Sequence, residues 1–143
     1  MSSYQKKLQK PAIVMTRSDH ERLTRLADSI AHSNEQAAEE LYAELDRARI
    51  VPDDRIGADV VRMGSTLRFT TTTGEDRRVT LSFPDKADIA EGRISILSPI
   101  GTALIGLKAG QSIEWRTRDD RVSRLTVEEV EPFVAAGEEA RHD

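Results

Sequence analysis

The sequence predicts an α+β chain: a short N-terminal antiparallel two-helix unit, then an antiparallel sheet domain with one short helix. Three observations predict it. Apolar residues recur twice at helical spacing between residues 18 and 48. From about residue 59 the apolar period falls to two. Turn-forming clusters separate the periodic stretches. The expected organisation is a flexible tail over 1–11, a helical hairpin over 12–51 and a linker over 52–58. A sheet domain over 59–134 and an acidic tail over 135–143 follow.

The first ten residues, MSSYQKKLQK, carry no useful periodicity and read as a mobile tail. Ser18 with Glu21 three positions on has the capping-box spacing and marks a helix start. Leu23, Leu26, Ala27 and Ile30 form its apolar stripe, which ends at the turn cluster His32, Ser33, Asn34. Ser33 or Asn34 can cap a second helix, with Glu35 in its first turn. Its stripe is Ala37, Ala38, Leu41, Leu45 and Ala48, and Val51 before Pro52 stops it. So short a turn makes the helices antiparallel neighbours. Such a hairpin is too small to be stable alone and needs tertiary support from the second part.

In the second part Leu67 and Phe69 alternate over 65–70, and Val79, Leu81 and Phe83 alternate over 77–83. The turn residues 73–76 between them make a hairpin. Residues 93–97 are a further strand. Ser98 followed by Pro99 gives a cap and a proline at the first helical position, opening a short helix over 99–107. Ile113 and Trp115 alternate in the next strand, with Trp115 read as core, and 122–130 is the last strand. Gly101 and Gly106 are expected to let the short helix approach the sheet closely.

Composition excludes several function classes. The chain has 143 residues, 21 Lys plus Arg, 25 Asp plus Glu, no Cys, and a net charge of −4. It is too short for a TIM barrel or a two-domain dehydrogenase. Without Cys there is no disulfide, thiolate zinc site, Fe–S cluster or cysteine nucleophile. No apolar run approaches the ~20 residues of a membrane span, and no signal peptide is evident. The expected location is the cytoplasm, without membrane attachment. An acidic chain gains little from phosphate backbones, so DNA or RNA contact is expected to be indirect or weak. The charge is unevenly laid out. Residues 1–25 hold six basic and two acidic side chains, and residues 26–50 hold two basic and six acidic. Two oppositely charged helix faces follow from this layout.

Residues 94–110, ISILSPIGTALIGLKAG, resemble the signature of the Gre-type transcription elongation factors. Residues 59–69, DVVRMGSTLRF, look like the opening strand of the same domain. The short front hairpin and the run AELDRA over 43–48 are most similar to the regulator of nucleoside diphosphate kinase branch of that family. The resemblance implies a C-terminal domain of FK506-binding-protein type (FKBP-like) and an N-terminal antiparallel coiled coil. It also implies docking on bacterial RNA polymerase at the rim of the secondary channel. The Ser-Pro turn is part of that contact in the family, which carries over to Leu97, Ser98 and Pro99 here, with Ile100 beside them. Cleavage-stimulating members can have Asp or Asn where Leu97 stands.

Gre factors also deliver two acidic side chains at the hairpin tip to a catalytic magnesium ion. The candidates here are Asp28, Glu35 and Glu39, whose alternative role is to serve the helix terminus and the solvated surface. The hairpin is about half as long as the cleavage-stimulating version, which removes roughly 20–25 Å of reach. The expectation is therefore a non-catalytic transcription regulator that competes with longer channel factors without stimulating transcript cleavage, with no metal and no cofactor. Two alternatives stay open: a regulator of nucleoside diphosphate kinase acting independently of polymerase, and an FKBP-like prolyl isomerase. His20, His32 and His142 are too scattered for a metal motif, and no Gly-rich phosphate loop is present.

Overall fold

Thr16, rather than Ser18, starts the first helix. Its backbone is extended (φ −71°, ψ 155°) and its Oγ1 accepts the Asp19 amide at 3.0 Å. Ser18 instead turns outward, donating through its amide (3.1 Å) and its hydroxyl to the Asp53 carboxylate. These hydrogen bonds hold the Asp53 carboxyl below its ordinary range.

The computed structural model describes residues 6–9, 11–116 and 119–132. The elements run β1 (Lys6–Gln9), β2 (Val14–Thr16), α1 (Arg17–Ile30), α2 (Glu35–Arg47), β3 (Arg49–Val51), β4 (Thr66–Thr71) and β5 (Asp76–Ser82). They continue with β6 (Arg93–Ser95), α3 (Pro99–Leu104), β7 (Ser112–Arg116) and β8 (Val122–Val130). Helices thus precede a mostly antiparallel sheet, in the order β1-β7-β8-β4-β5-β6. Among the described residues, no helix is long and apolar enough to cross a membrane.

Three details depart from the sequence expectation. Residues 6–9 lie in the segment read as a tail, yet pair antiparallel with β7 as the sheet's edge strand. The sheet is not wholly antiparallel. The connection over 83–92 holds two 3-10 turns, and β6 returns parallel to β5, with Leu81 opposite Ile94. The short helix α3 ends at Leu104, not 107, because Gly106 turns the chain at φ +83°. Residues 135–143, including His142, and the side chain of Trp115 lie outside the described residues.

The hairpin stripes are as periodicity requires. Leu23 and Ala27 of α1 and Ala38, Leu41 and Leu45 of α2 are buried. Asn34 caps α2, its Oδ1 accepting the Ala37 amide at 3.3 Å. The hairpin is not a separate body. Leu23, Leu41 and Leu45 share one apolar core with Leu67, Phe69, Leu81, Leu104 and Ile113. This is the tertiary support that two helices of 14 and 13 residues need.

The hairpin root is sewn to the sheet domain through backbone. β2 and β3 pair in parallel, so both ends of the hairpin leave from one place. The Val14 amide donates to the Gly106 carbonyl (3.2 Å), and the Gly106 amide donates to the Val61 carbonyl (2.9 Å). A Cβ on Gly106 would sit 2.7 Å from the Ile13 Cβ. A side-chain bond reinforces this. Asp19 of α1 is buried, and its Oδ2 accepts the Met63 amide at 2.9 Å across 44 residues of sequence. Burial pushes the Asp19 carboxyl above the ordinary value of 3.8, with the Met63 amide opposing.

Two predictions follow from the root. Gly106→Ala combines a left-handed backbone with contact against Ile13, and should cost about 2–5 kcal/mol in urea unfolding. Asp19→Ala leaves the buried Met63 amide without its acceptor and should cost about 1–3 kcal/mol. Asp19→Asn keeps an acceptor oxygen and should lie closer to the parent. A raised carboxyl pKa means the folded chain holds the proton more tightly than the unfolded one. The Asp19 contribution therefore falls as pH rises from 3.8 toward the raised value, and Asp19→Asn should lack that part of the slope.

Candidate functional site

The Ser-Pro turn is built by local hydrogen bonds. The Ser98 backbone is extended (φ −75°, ψ 155°), and its Oγ accepts the Gly101 amide at 3.0 Å while donating to the Ser95 carbonyl at 2.7 Å. Thr102, one turn on, donates its hydroxyl to the Ile96 carbonyl at 2.6 Å. Gly101 permits this packing, because a Cβ there would lie 2.1 Å from the Ser95 carbonyl oxygen. The sequence expectation that Gly101 allows close approach thus holds at the end of β6. Gly106 serves a different approach, to Ile13 at the hairpin root.

These bonds give the four candidate residues different roles. Ser98 uses both hydrogen-bonding functions inside the turn, so it shapes the turn rather than presenting a free hydroxyl. Pro99 stands exposed at the first helical position, and Leu97 and Ile100 are half-buried beside it. The structure therefore brings Leu97, Ser98, Pro99 and Ile100 together as one apolar-edged turn at the surface.

That turn forms one margin of a cleft of about 1160 Å³. The facing wall is one side of α2, carrying Glu40, Ala43 and Glu44. Its floor is apolar, with Ile94, Ala103 and Leu125. Residues 87–90, Arg77 and Arg93 complete it. Ile89 at the margin is 81% exposed, the largest exposure among the described large hydrophobic residues. The described lining residues include no aromatic ring.

The acidic candidates lie elsewhere. The α1 helix of 14 residues spans about 21 Å, and the chain turns between Ile30 and Glu35 at its far end. Glu35 stands in the first turn of α2 and Glu39 one turn further, both exposed. Asp28, although exposed, is engaged: it accepts the hydroxyl of Tyr42 from the opposite helix. That bond raises the Tyr42 pKa above its ordinary value. Among the described residues, no three His, Cys, Asp or Glu side chains are grouped so as to hold a metal ion.

Several polar positions were missed from the sequence. Glu44 is buried in the α2 stripe, with Arg47 on its Oε1 at 3.0 Å. Its spacing after Leu41 places it on that face, which is the signal that could have found it. Asp19 shows a similar signal, three positions after the capping Thr16. His20 is half-buried, and its Nε2 donates to the Leu45 carbonyl near the end of α2 at 3.1 Å. His32 is exposed at the hairpin tip.

Comparisons with known proteins agree with this anatomy. The family model "Transcription elongation factor, GreA/GreB, C-term" matches residues 56–132, and "Rnk N-terminus" matches residues 11–51. The chain is 34% identical over 125 residues to the regulator of nucleoside diphosphate kinase of Escherichia coli strain K12, covering 87% of this chain and 92% of that one. It is 33% identical over 116 residues to transcription elongation factor GreA of Thermodesulfovibrio yellowstonii, covering 75% of this chain and 73% of that protein. Among solved structures, a prokaryotic transcription elongation factor GreA/GreB from Nitrosomonas europaea superposes with a TM-score of 0.66 at 37% identity, covering 85% of this chain and 99% of that one. With a short helical hairpin matched by the Rnk model and a sheet domain matched by the elongation-factor model, the chain belongs to the GreA/GreB family and carries an Rnk-type N-terminus.

Proposed function

We propose that the chain is a non-catalytic transcription regulator that docks on bacterial RNA polymerase near the secondary channel, in the cytoplasm. In this reading the hairpin is a short coiled coil and the sheet domain is of FK506-binding-protein type. Docking uses Leu97, Pro99 and Ile100, shaped by Ser98. Family membership supports a transcriptional role, and the exposed turn supports a protein contact there.

The observation that carries the absence of cleavage stimulation is the hairpin itself. Its helices reach about 21 Å, and Asp28 is already engaged by Tyr42. A carboxylate assists magnesium only when its oxygen lies at ~2.0–2.1 Å from the ion. A tip that stops short occupies the channel entrance and supplies no ligand, so Glu35 and Glu39 act as surface charge.

A second reading rests on the printed name of the Escherichia coli relative. There the chain would regulate nucleoside diphosphate kinase independently of polymerase. Capture from a bacterial lysate separates the two: polymerase subunits support the first, the kinase alone supports the second. The prolyl isomerase alternative gains nothing from the cleft, whose described lining lacks the aromatic rings that activity uses.

Four outcomes are expected. The purified chain should bind polymerase core enzyme and be displaced by a full-length GreA, measured by fluorescence anisotropy. A stalled elongation complex should release no 3′ RNA fragments on its addition; fragments on a sequencing gel would overturn the reading. Ile100→Asp should weaken polymerase binding about tenfold or more by placing a charge in the apolar turn. Ser98→Ala is a control for the turn's shape and should cost about 1 kcal/mol of stability.

A further inference from the structure

Among the described side chains, the arginines of the sheet strands divide into two groups. Arg68 is bonded to Asp76 at 2.9 Å, Arg78 to Glu131 at 2.6 Å, Arg93 to Asp88 at 3.7 Å, and Arg124 to Glu114. Arg77 is the exception. It is half-buried, lines the cleft, and lies over the Phe69 ring at 5.8 Å from its centroid. Among the described residues it makes no ion pair and no hydrogen bond. Five N–H donors at the end of an apolar trough therefore have an aromatic face and no acceptor.

The opposite wall has the other sign. Glu40 and Glu44 of α2 face the trough, and Glu44 is buried beside Arg47. The trough is thus polarised, with Glu40 on the α2 side and Arg77, without an acceptor among the described residues, on the β5 side; Asp88 and Arg93, which also line it, pair with each other, and the floor between is apolar. Its apolar surface also continues outward over Ala43, Ile89 and Pro99. A volume of about 1160 Å³ with an apolar margin exceeds what one inserted side chain fills, and suits a chain segment lying along it.

We propose that this cleft docks an apolar protein segment bearing a carboxylate, which Arg77 receives as a forked ion pair. The carboxylate must lie on the β5 side, because Glu40 repels it from the other wall, where Glu44 is already paired with Arg47. That fixes the direction in which the segment lies. Arg77 is then a specificity-determining residue: apolar contact with Ile94, Ala103 and Leu125 supplies general affinity, and the guanidinium selects acidic partners. The proposal deepens the docking reading at the same surface, and rests on it only for the identity of the partner.

The test uses the full chain and two capped nonapeptides of leucine and alanine, one with a central glutamate and one with glutamine in its place. Each is titrated into isotope-labelled protein, and affinity is read from the amide shifts of Ile94, Ala103 and Leu125. The glutamate peptide should bind about tenfold tighter than its twin. Arg77→Gln should abolish that preference, and Arg77→Lys should keep only part of it, because one ammonium cannot make the forked pair. Equal binding of the two peptides, shifts mapping away from the cleft, or an unchanged preference in Arg77→Gln would each overturn the proposal. So would concentration-dependent self-association that closes the cleft, which would make a second copy the occupant. If Arg77→Gln does not fold, the two peptides on the parent chain still decide. With polymerase core enzyme as probe, Arg77→Gln should lose about tenfold in affinity. A parent chain that prefers the glutamate peptide but binds no polymerase would remove the docking reading and leave the carboxylate site standing.

Discussion

The geometry of this chain depends on the backbone junction at Gly106. Its carbonyl takes the Val14 amide, its own amide reaches Val61, and the space where its side chain would be holds Ile13. Three stretches remote in sequence meet there: the entry to the hairpin, the approach to the sheet, and the exit from α3. Only a residue without a Cβ accepts both the positive φ and the contact. Because the Arg49 amide donates to the Ile13 carbonyl at 3.0 Å, the returning end of the hairpin is held at the same point. The direction of the hairpin relative to the sheet is therefore set in the backbone, and side chains refine it.

Asp19, Ser18 and Arg22 supply that refinement from successive sides of the first helix. Asp19 accepts the Met63 amide, Ser18 donates to the Asp53 carboxylate, and the Arg22 guanidinium lies 4.4 Å from the centre of the Phe83 ring. The outer two contacts are exposed and modest in energy. The buried one is a single acceptor for a single donor, and it costs desolvation that the bond offsets only in part, as the direction of the Asp19 shift shows. Its value is directional: it fixes which face of α1 meets the sheet domain. With α1 fixed, α2 packs near α3, and residues of both line the cleft.

Much of this was legible in the sequence, and the limits have physical causes. The stripes Leu23–Ala27 and Leu41–Leu45 and the alternations Leu67–Phe69 and Val79–Leu81 state which side is buried, since burial acts on each residue through its local period. Ser98 before Pro99 was legible because capping is a bond within one turn. The direction of β6 was not, since a strand of three residues has a period but no sign. The edge strand β1 was not, because its reason for extending is β7, more than 100 residues away. The candidate turn was readable and the cleft was not. Its walls come from residues 40–44, 87–90 and 98–103, which no local pattern links.

The charge layout gains a meaning from the fold that its net value lacks. The chain's −4 is a small number, and the first fifty residues sum to zero. Folding places the acidic second helix so that Glu40 and Glu44 look into the cleft, while the sheet's basic residues are mostly neutralised by their own neighbours across the strands. Ion pairs on an exposed sheet face contribute little stability each. Their larger effect here is to cancel the field of Arg68, Arg78, Arg93 and Arg124, so that among the described strand arginines Arg77 is left distinct at one end of an apolar trough. A surface whose charges all paired internally would offer a partner only apolar area, which discriminates poorly. One guanidinium held against Phe69 and facing an acidic wall gives that area a polarity and therefore an orientation.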